Sequence, residues 1–141
     1  MALEYPELTS FGTLMRYALT LEQGVAALME TAAGKVGGAR DDLLAVAKKH
    51  TKRAEAMERL RRERLNEVVL QQISGMERET YLPEEFSETG WQELLAKTED
   101  RVARFYEDGA RVAQNVLSGL DRKFGKLARE SLEFAGKLRA L

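Results

Sequence analysis

The stretch LLAVAKKHTKRAEAMERL, residues 43–60, decides the fold. Its apolar members return every three or four residues, so Leu43, Ala47, Ala54, Met57 and Leu60 share one face of a helix. The only histidine of the chain, His50, falls on that line, and Arg53 follows three residues later on the same face. An imidazole and a guanidinium therefore stand where core residues are expected, and buried charge persists only when it is paired. The opposite face carries Lys48, Lys49, Lys52, Arg59, Arg61, Arg62 and Arg64, diluted by Glu55, Glu58 and Glu63. No aromatic residue interleaves these cations. The pattern fits a solvated face with helical ion pairs better than a surface for nucleic acid or an acidic partner.

Outward from this helix the same spacing recurs. Phe11, Leu14, Ala18, Leu21, Val25, Leu28 and Ala32 predict a first helix over about 9–33, capped by Thr9 or Ser10, whose oxygens can accept from the free N–H groups of the first turn. The glycines of AAGKVGGAR close it. That stretch lacks the preceding strand and the spacing of a phosphate-binding loop, so it reads as a turn. The second helix starts near 40 and is expected to run to about 75. MERETYLPEEFSETG (76–90) breaks the pattern with Pro83 and a cluster of acids, and Thr89 with Gln92 has the form of a capping box. Trp91, Leu95, Val102, Phe105, Tyr106 and Ala113 predict a third helix over about 90–114. Leu117, Leu120, Phe124, Leu127, Ser131, Phe134, Leu138 and Leu141 predict a fourth. An unbroken helix over 90–141 would be about 75 Å long, too long for a compact monomer of this size. The chain must turn near Asn115, Ser118 and Gly119 or exchange helices with a second copy.

Composition limits what such a chain can do. Its 141 residues suit one domain, spanning 1–141, with a core large enough to need no staples. Cysteine is absent, which removes disulfides, thiolate nucleophiles and thiolate metal ligands and favours a reducing compartment. The N-terminal residues carry acids and no basic segment, so no secretory signal is read and a cytoplasmic location is expected. No apolar run approaches the ~18 residues of a spanning helix, and no membrane partner is expected. A net charge of −1 argues against a dedicated nucleic-acid binder.

The two halves also match each other. Leu14, Ala18, Glu22, Val25, Leu28 and Met29 align with Trp91, Leu95, Glu99, Val102, Phe105 and Tyr106. Leu43, Val46, Ala47, Ala54, Met57 and Leu60 align with Phe124, Leu127, Ala128, Ala135, Leu138 and Leu141. The inward pair Glu22 and Glu99 is the most telling coincidence. Two helical hairpins, 9–75 and 90–141, joined by a crossover at 76–88, make an all-α four-helix bundle.

YALTLEQGVAALMETAA (17–33) and LLAKTEDRVARFYEDGA (94–110) resemble helices one and three of the rubrerythrin branch of the ferritin-like superfamily. In that family an inward glutamate is followed seven residues later by an aromatic residue. Residues 43–60 and FGKLARESLEFAGKLRAL (124–141) resemble its two helices bearing Glu-x-x-His. The resemblance implies a ferritin-like bundle and an ancestral di-iron centre. Such a centre takes a glutamate from each of two helices and a Glu-x-x-His from each of the others. Here one Glu-x-x-His has become His50 with Arg53, and the other has become Ser131 with Phe134. Guanidinium stays protonated and cannot ligate, and a phenyl ring offers only its face. Glu22, Glu99 and His50 are what remains of a metal site.

No cofactor is expected. Iron or another divalent ion is the alternative, with Glu130 able to join the three if the fourth helix shifted its register. Without metal, Glu22 and Glu99 would be left as like charges, and Arg53 is the candidate counter-charge, forming an internal cluster of Glu22, Arg53 and Glu99. The other reading has Arg53 snorkelling to the surface. Tyr106 is read as filling core volume. The functional expectation is a non-catalytic binding or assembly protein, forming a homodimer. The alternatives are a metal-dependent oxidoreductase or iron handler, and a binder of an acidic partner or nucleic acid through the basic helix face.

Overall fold

The structure, a computed structural model, describes residues 3–64, 68–114 and 116–141. Its long elements are all helical: α1 (Phe11–Lys35), α2 (Arg40–Arg64), α3 (Trp91–Ala113) and α4 (Leu120–Arg139). Short 3-10 turns occupy Gly37–Ala39 and Arg78–Thr80. The α1 stripe named from the sequence is buried throughout, as is the α2 line with His50 and Arg53 in it. On α4, Leu120, Phe124, Ser131, Phe134 and Leu138 are buried, whereas Leu127 is half-buried and Leu141 is exposed beyond the helix end.

α1 begins as a capping residue dictates. Ser10 has extended backbone, its hydroxyl accepts from the Thr13 N–H, and the Thr13 hydroxyl accepts in return from the Ser10 N–H. Neighbouring donors go to a different acceptor. The Phe11 N–H donates to the Gln71 carbonyl at 2.8 Å and the Gly12 N–H to the Val69 carbonyl at 2.9 Å. A Cβ on Gly12 would lie 2.6 Å from Val69 Cγ2, so the close approach requires glycine.

This docking corrects the sequence reading of the second helix. α2 ends at Arg64, not near 75, and the connection already runs as non-helical backbone at 68. Backbone at 69–71, leaving a turn at 68–70, offers carbonyls to the free donors at the start of α1, and the Ile73 N–H returns a bond to the Thr9 carbonyl. The apolar residues Val68, Val69, Leu70 and Ile73 therefore sit on a strap rather than on a helix. The capping box at 89–92 does not form either. Gly90, at φ +67°, leads into α3 without a side-chain cap, and Gln92 donates instead to the Leu141 carbonyl at 3.0 Å.

Two helical hairpins, α1 with α2 and α3 with α4, make up the body of the fold, compatible with a four-helix bundle. Tyr17 on α1 stacks on Phe105 of α3 with centroids 5.1 Å apart, and His50 on α2 meets Phe134 of α4 edge to face. The strap descends the α1–α3 seam. The Tyr17 hydroxyl donates to the Arg78 carbonyl at 2.6 Å, Tyr81 packs edge-on against Tyr17 and Phe105, and Arg101 donates to the Leu82 carbonyl at 2.8 Å. Between α3 and α4 the chain turns, with Gly119 in left-handed backbone at φ +85°. Asn115, named as a turn residue, lies outside the described residues. α3 and α4 pack against each other, and Phe124 presses on α3 where Gly109 leaves it without a side chain.

Candidate functional site

The residues singled out by the sequence meet in the interior. Glu22 on α1, His50 on α2 and Glu99 on α3 are each fully buried. The α-helical stripe dictates this, because each occupies a position where its helix faces the other three. His50 lies between the two carboxyl groups: its Nδ1 hydrogen bonds Glu22 Oε1, and its Nε2 hydrogen bonds Glu99 Oε2 at 2.5 Å. One side chain thereby ties three helices together.

Arg53 also points inward, with 6% exposure. Its Nη1 donates to Ser131 Oγ at 2.8 Å and reaches Glu22 Oε2 at 3.5 Å. Its Nε and Nη2 donate to Glu130 Oε1 at 3.2 and 2.7 Å, and Nη2 also donates to the Leu127 carbonyl at 3.3 Å. The guanidinium carbon lies 5.3 Å from the Phe134 ring centroid and 5.9 Å from that of Tyr106, within cation–π range. The Tyr106 hydroxyl donates to Glu22 Oε2.

The geometry amends the expected cluster of Glu22, Arg53 and Glu99. Arg53 pairs with Glu22 and Glu130, and the group set between both interior carboxyls is His50. The physical reason is reach. An arginine three residues from His50 sits nearly one helical turn along α2, close to α4 and farther from Glu99. Glu130 joins without any register shift. It stays at the rim, 35% exposed, and Arg53 extends to meet it. The sequence reading missed three partners. Ser131 carried a legible signal, a hydroxyl on an otherwise apolar stripe. Tyr106 carried only its spacing from Glu99, and the Leu127 carbonyl carried none.

The electrostatics follow from this packing. Burial opposes the charged form of His50, but the Glu99 and Glu22 carboxylates outweigh it and raise the imidazole to about 9. Burial would raise the Glu22 carboxyl, but the charge and hydrogen bond of His50, the charge of Arg53 and the Tyr106 hydroxyl bring it below the ordinary value. Burial, then the Glu22 charge, lifts Tyr106 well above the usual phenol range. Two cations thus face two buried carboxyl groups.

These residues do not fit a di-iron centre. His50 has both ring nitrogens engaged by carboxylate oxygens, so neither faces an open coordination position. The Arg53 cation stands against Glu22, where a metal would need that oxygen. Among the described residues, no group of three or more histidine, aspartate or glutamate side chains is arranged to hold a metal ion. One atom stands apart. Glu99 Oε1 is buried and has no hydrogen-bond partner.

No protein-family model, no curated protein and no solved structure matches the chain.

Arg53→Met should lower stability at neutral pH by about 3–5 kcal/mol, because it strands a buried carboxylate. The penalty should shrink as pH falls, since Glu22 without Arg53 takes up a proton more readily. Adding Glu22→Gln and Glu99→Gln should remove most of that pH dependence. Urea denaturation of all variants across pH measures this, and a loss below about 1 kcal/mol with no pH dependence would show that Arg53 carries no interior charge balance.

The raised His50 value fixes a second outcome. The folded state holds a proton that the unfolded chain releases near 6.5, so this contribution is complete below 6.5 and is lost as pH rises through about 9. The alkaline loss should be on the order of 3 kcal/mol, and His50→Gln should flatten it. A wild-type stability that does not change between these pH values would rule out the imidazolium bridge.

Proposed function

We propose that this chain is a non-catalytic scaffold of ferritin-like ancestry, in which side-chain cations have taken over the charge balance of a lost metal centre. The observation that carries the reading is His50, held by both ring nitrogens between Glu22 and Glu99 with Arg53 alongside. A metal centre needs open coordination positions and ligands with free lone pairs. This interior instead closes every His50 and Arg53 donor on a protein acceptor or an aromatic face. The order of the helices, the long connection after α2 and the matched Glu22 and Glu99 support the ancestry.

A scaffold so built acts through its exterior. We assign it self-association as a homodimer. The groove between α2 and α4, about 380 Å³, supports this: Val46, Phe134, Leu138 and Leu141 form an apolar floor that a second copy would cover. The second reading, a reduced-ligand metal handler, draws on the unpartnered Glu99 Oε1, which could take a divalent ion if His50 gave up its proton.

Protein produced with iron, manganese and zinc supplied should carry no stoichiometric transition metal on elemental analysis. One ion or more per chain, lost on Glu22→Ala, would replace the scaffold reading with the metal-handling one. Light scattering over a range of concentrations should give twice the monomer mass, and Val46→Glu with Leu141→Glu, at the accessible edge of the groove, should shift it toward the monomer. A strictly monomeric species at high concentration would remove self-association.

A further inference from the structure

The strap that ends α2 as a helix also builds a surface feature. Among the described residues, Leu70 is the most exposed large apolar side chain, at 85%, and its neighbour Val69 is 39% exposed. This exposure is imposed rather than incidental. The carbonyls of Val69 and Gln71, on either side of Leu70, accept from the Gly12 and Phe11 N–H groups at the start of α1. The Gln71 N–H closes the turn on the Val68 carbonyl at 3.0 Å. The tip is therefore pinned on both flanks, and Leu70 stands at it as a fixed apolar knob.

Beside the knob lies a cleft of about 450 Å³ lined by Ser10, Gly12, Thr13, Val69 and Leu70 and by three arginines, Arg16, Arg61 and Arg62. Among the described residues, no carboxylate lines it. Arg16 and Arg62 are exposed, and among the described residues Arg61 pairs with Glu58, one turn back on α2 at 3.5 Å. Arg61 Nε is buried and has no hydrogen-bond partner. The cleft thus joins three guanidinium groups, the side chains best shaped for phosphate oxygens, to a projecting leucine.

We infer that this end of the bundle docks on an anionic phospholipid surface, with Leu70 and Val69 entering the acyl boundary and Arg16, Arg61 and Arg62 taking lipid phosphates. Both halves of the feature are needed to choose the occupant. A free phosphate would use the arginines and leave Leu70 in water. A nucleic acid would do the same, and among the described residues no aromatic side chain lines the cleft on which a base could stack. A lipid surface satisfies the cations with anionic headgroups and removes the leucine from water in one step. The chain lies on such a surface and does not cross it, since no described helix is long and apolar enough to span a membrane. The expectation of no membrane partner rested on the lack of a spanning segment, which does not bear on surface contact.

Sedimentation with vesicles tests the inference on the full chain. Vesicles of phosphatidylcholine mixed with an equal amount of phosphatidylglycerol should carry the protein down at low salt, and phosphatidylcholine alone should not. Leu70→Ser should weaken partitioning by about fivefold or more, as loss of a buried leucine side chain implies. Arg16→Ala with Arg61→Ala should weaken it by about twentyfold, from the usual contribution of each basic residue near an anionic surface. All three positions are at the surface, and unchanged thermal melts would show that the variants fold. Three results would overturn the inference: no enrichment on the mixed vesicles, binding that Leu70→Ser leaves intact, or release of bound protein by inorganic phosphate or a short DNA duplex at the ionic strength of a sodium chloride control that leaves it bound.

Discussion

His50 held between Glu22 and Glu99 is the contact on which the interior depends. Two ionised carboxylates from different helices need a counter-charge in a dry core, and the His50 imidazole is placed to serve both. The bridge fixes the axial register of α1, α2 and α3 at one level, because each ring nitrogen has a single carboxylate within reach. Around that level the apolar stripes fall into place, from Leu14 and Ala18 above it to Val25 and Met29 below. A core of leucines alone would tolerate sliding of one helix along another, whereas a charged bridge does not.

The two halves of the chain, whose apolar patterns match, differ at this level. Matched positions hold Tyr106 in one half and Met29 in the other, Arg53 and Phe134, His50 and Ser131. Glu22 accordingly receives His50, Tyr106 and Arg53, while among the described residues Glu99 receives His50 alone, leaving Oε1 without a donor. A thioether at 29 has no O–H to offer. A ring at 134 cannot donate as a guanidinium does, but it gives Arg53 an aromatic face to lie against. One hairpin supplies the two cations and the other the aromatic faces beside Arg53, and the unequal treatment of the two glutamates follows directly.

The strap ties this interior to the exterior. Its backbone fills the donors at the start of α1, and Tyr81 inserts beside Tyr17 and Phe105, next to the ring of Tyr106. The same segment seals the α1–α3 seam and turns Leu70 outward beside the arginines of α2. A change that loosened the strap would thus act on both the wall of the ionic core and the exposed knob.

Periodicity indicated the four helices and their apolar faces, because an apolar stripe of 3.6-residue period leaves water by packing against another such stripe. It put Glu22, His50, Arg53 and Glu99 on those faces, but left Arg53 between an interior and a surface reading that only the packed structure decided. The sequence could not show which cation meets which carboxylate. That choice depends on side-chain reach across helices, and only the packed structure set His50 between the glutamates and sent Arg53 on to Ser131 and Glu130. The end of α2 was likewise illegible. Val68, Val69, Leu70 and Ile73 keep a spacing compatible with a helix, and what unwinds them is the set of free N–H groups at the start of α1, far away in sequence and adjacent only in the folded chain.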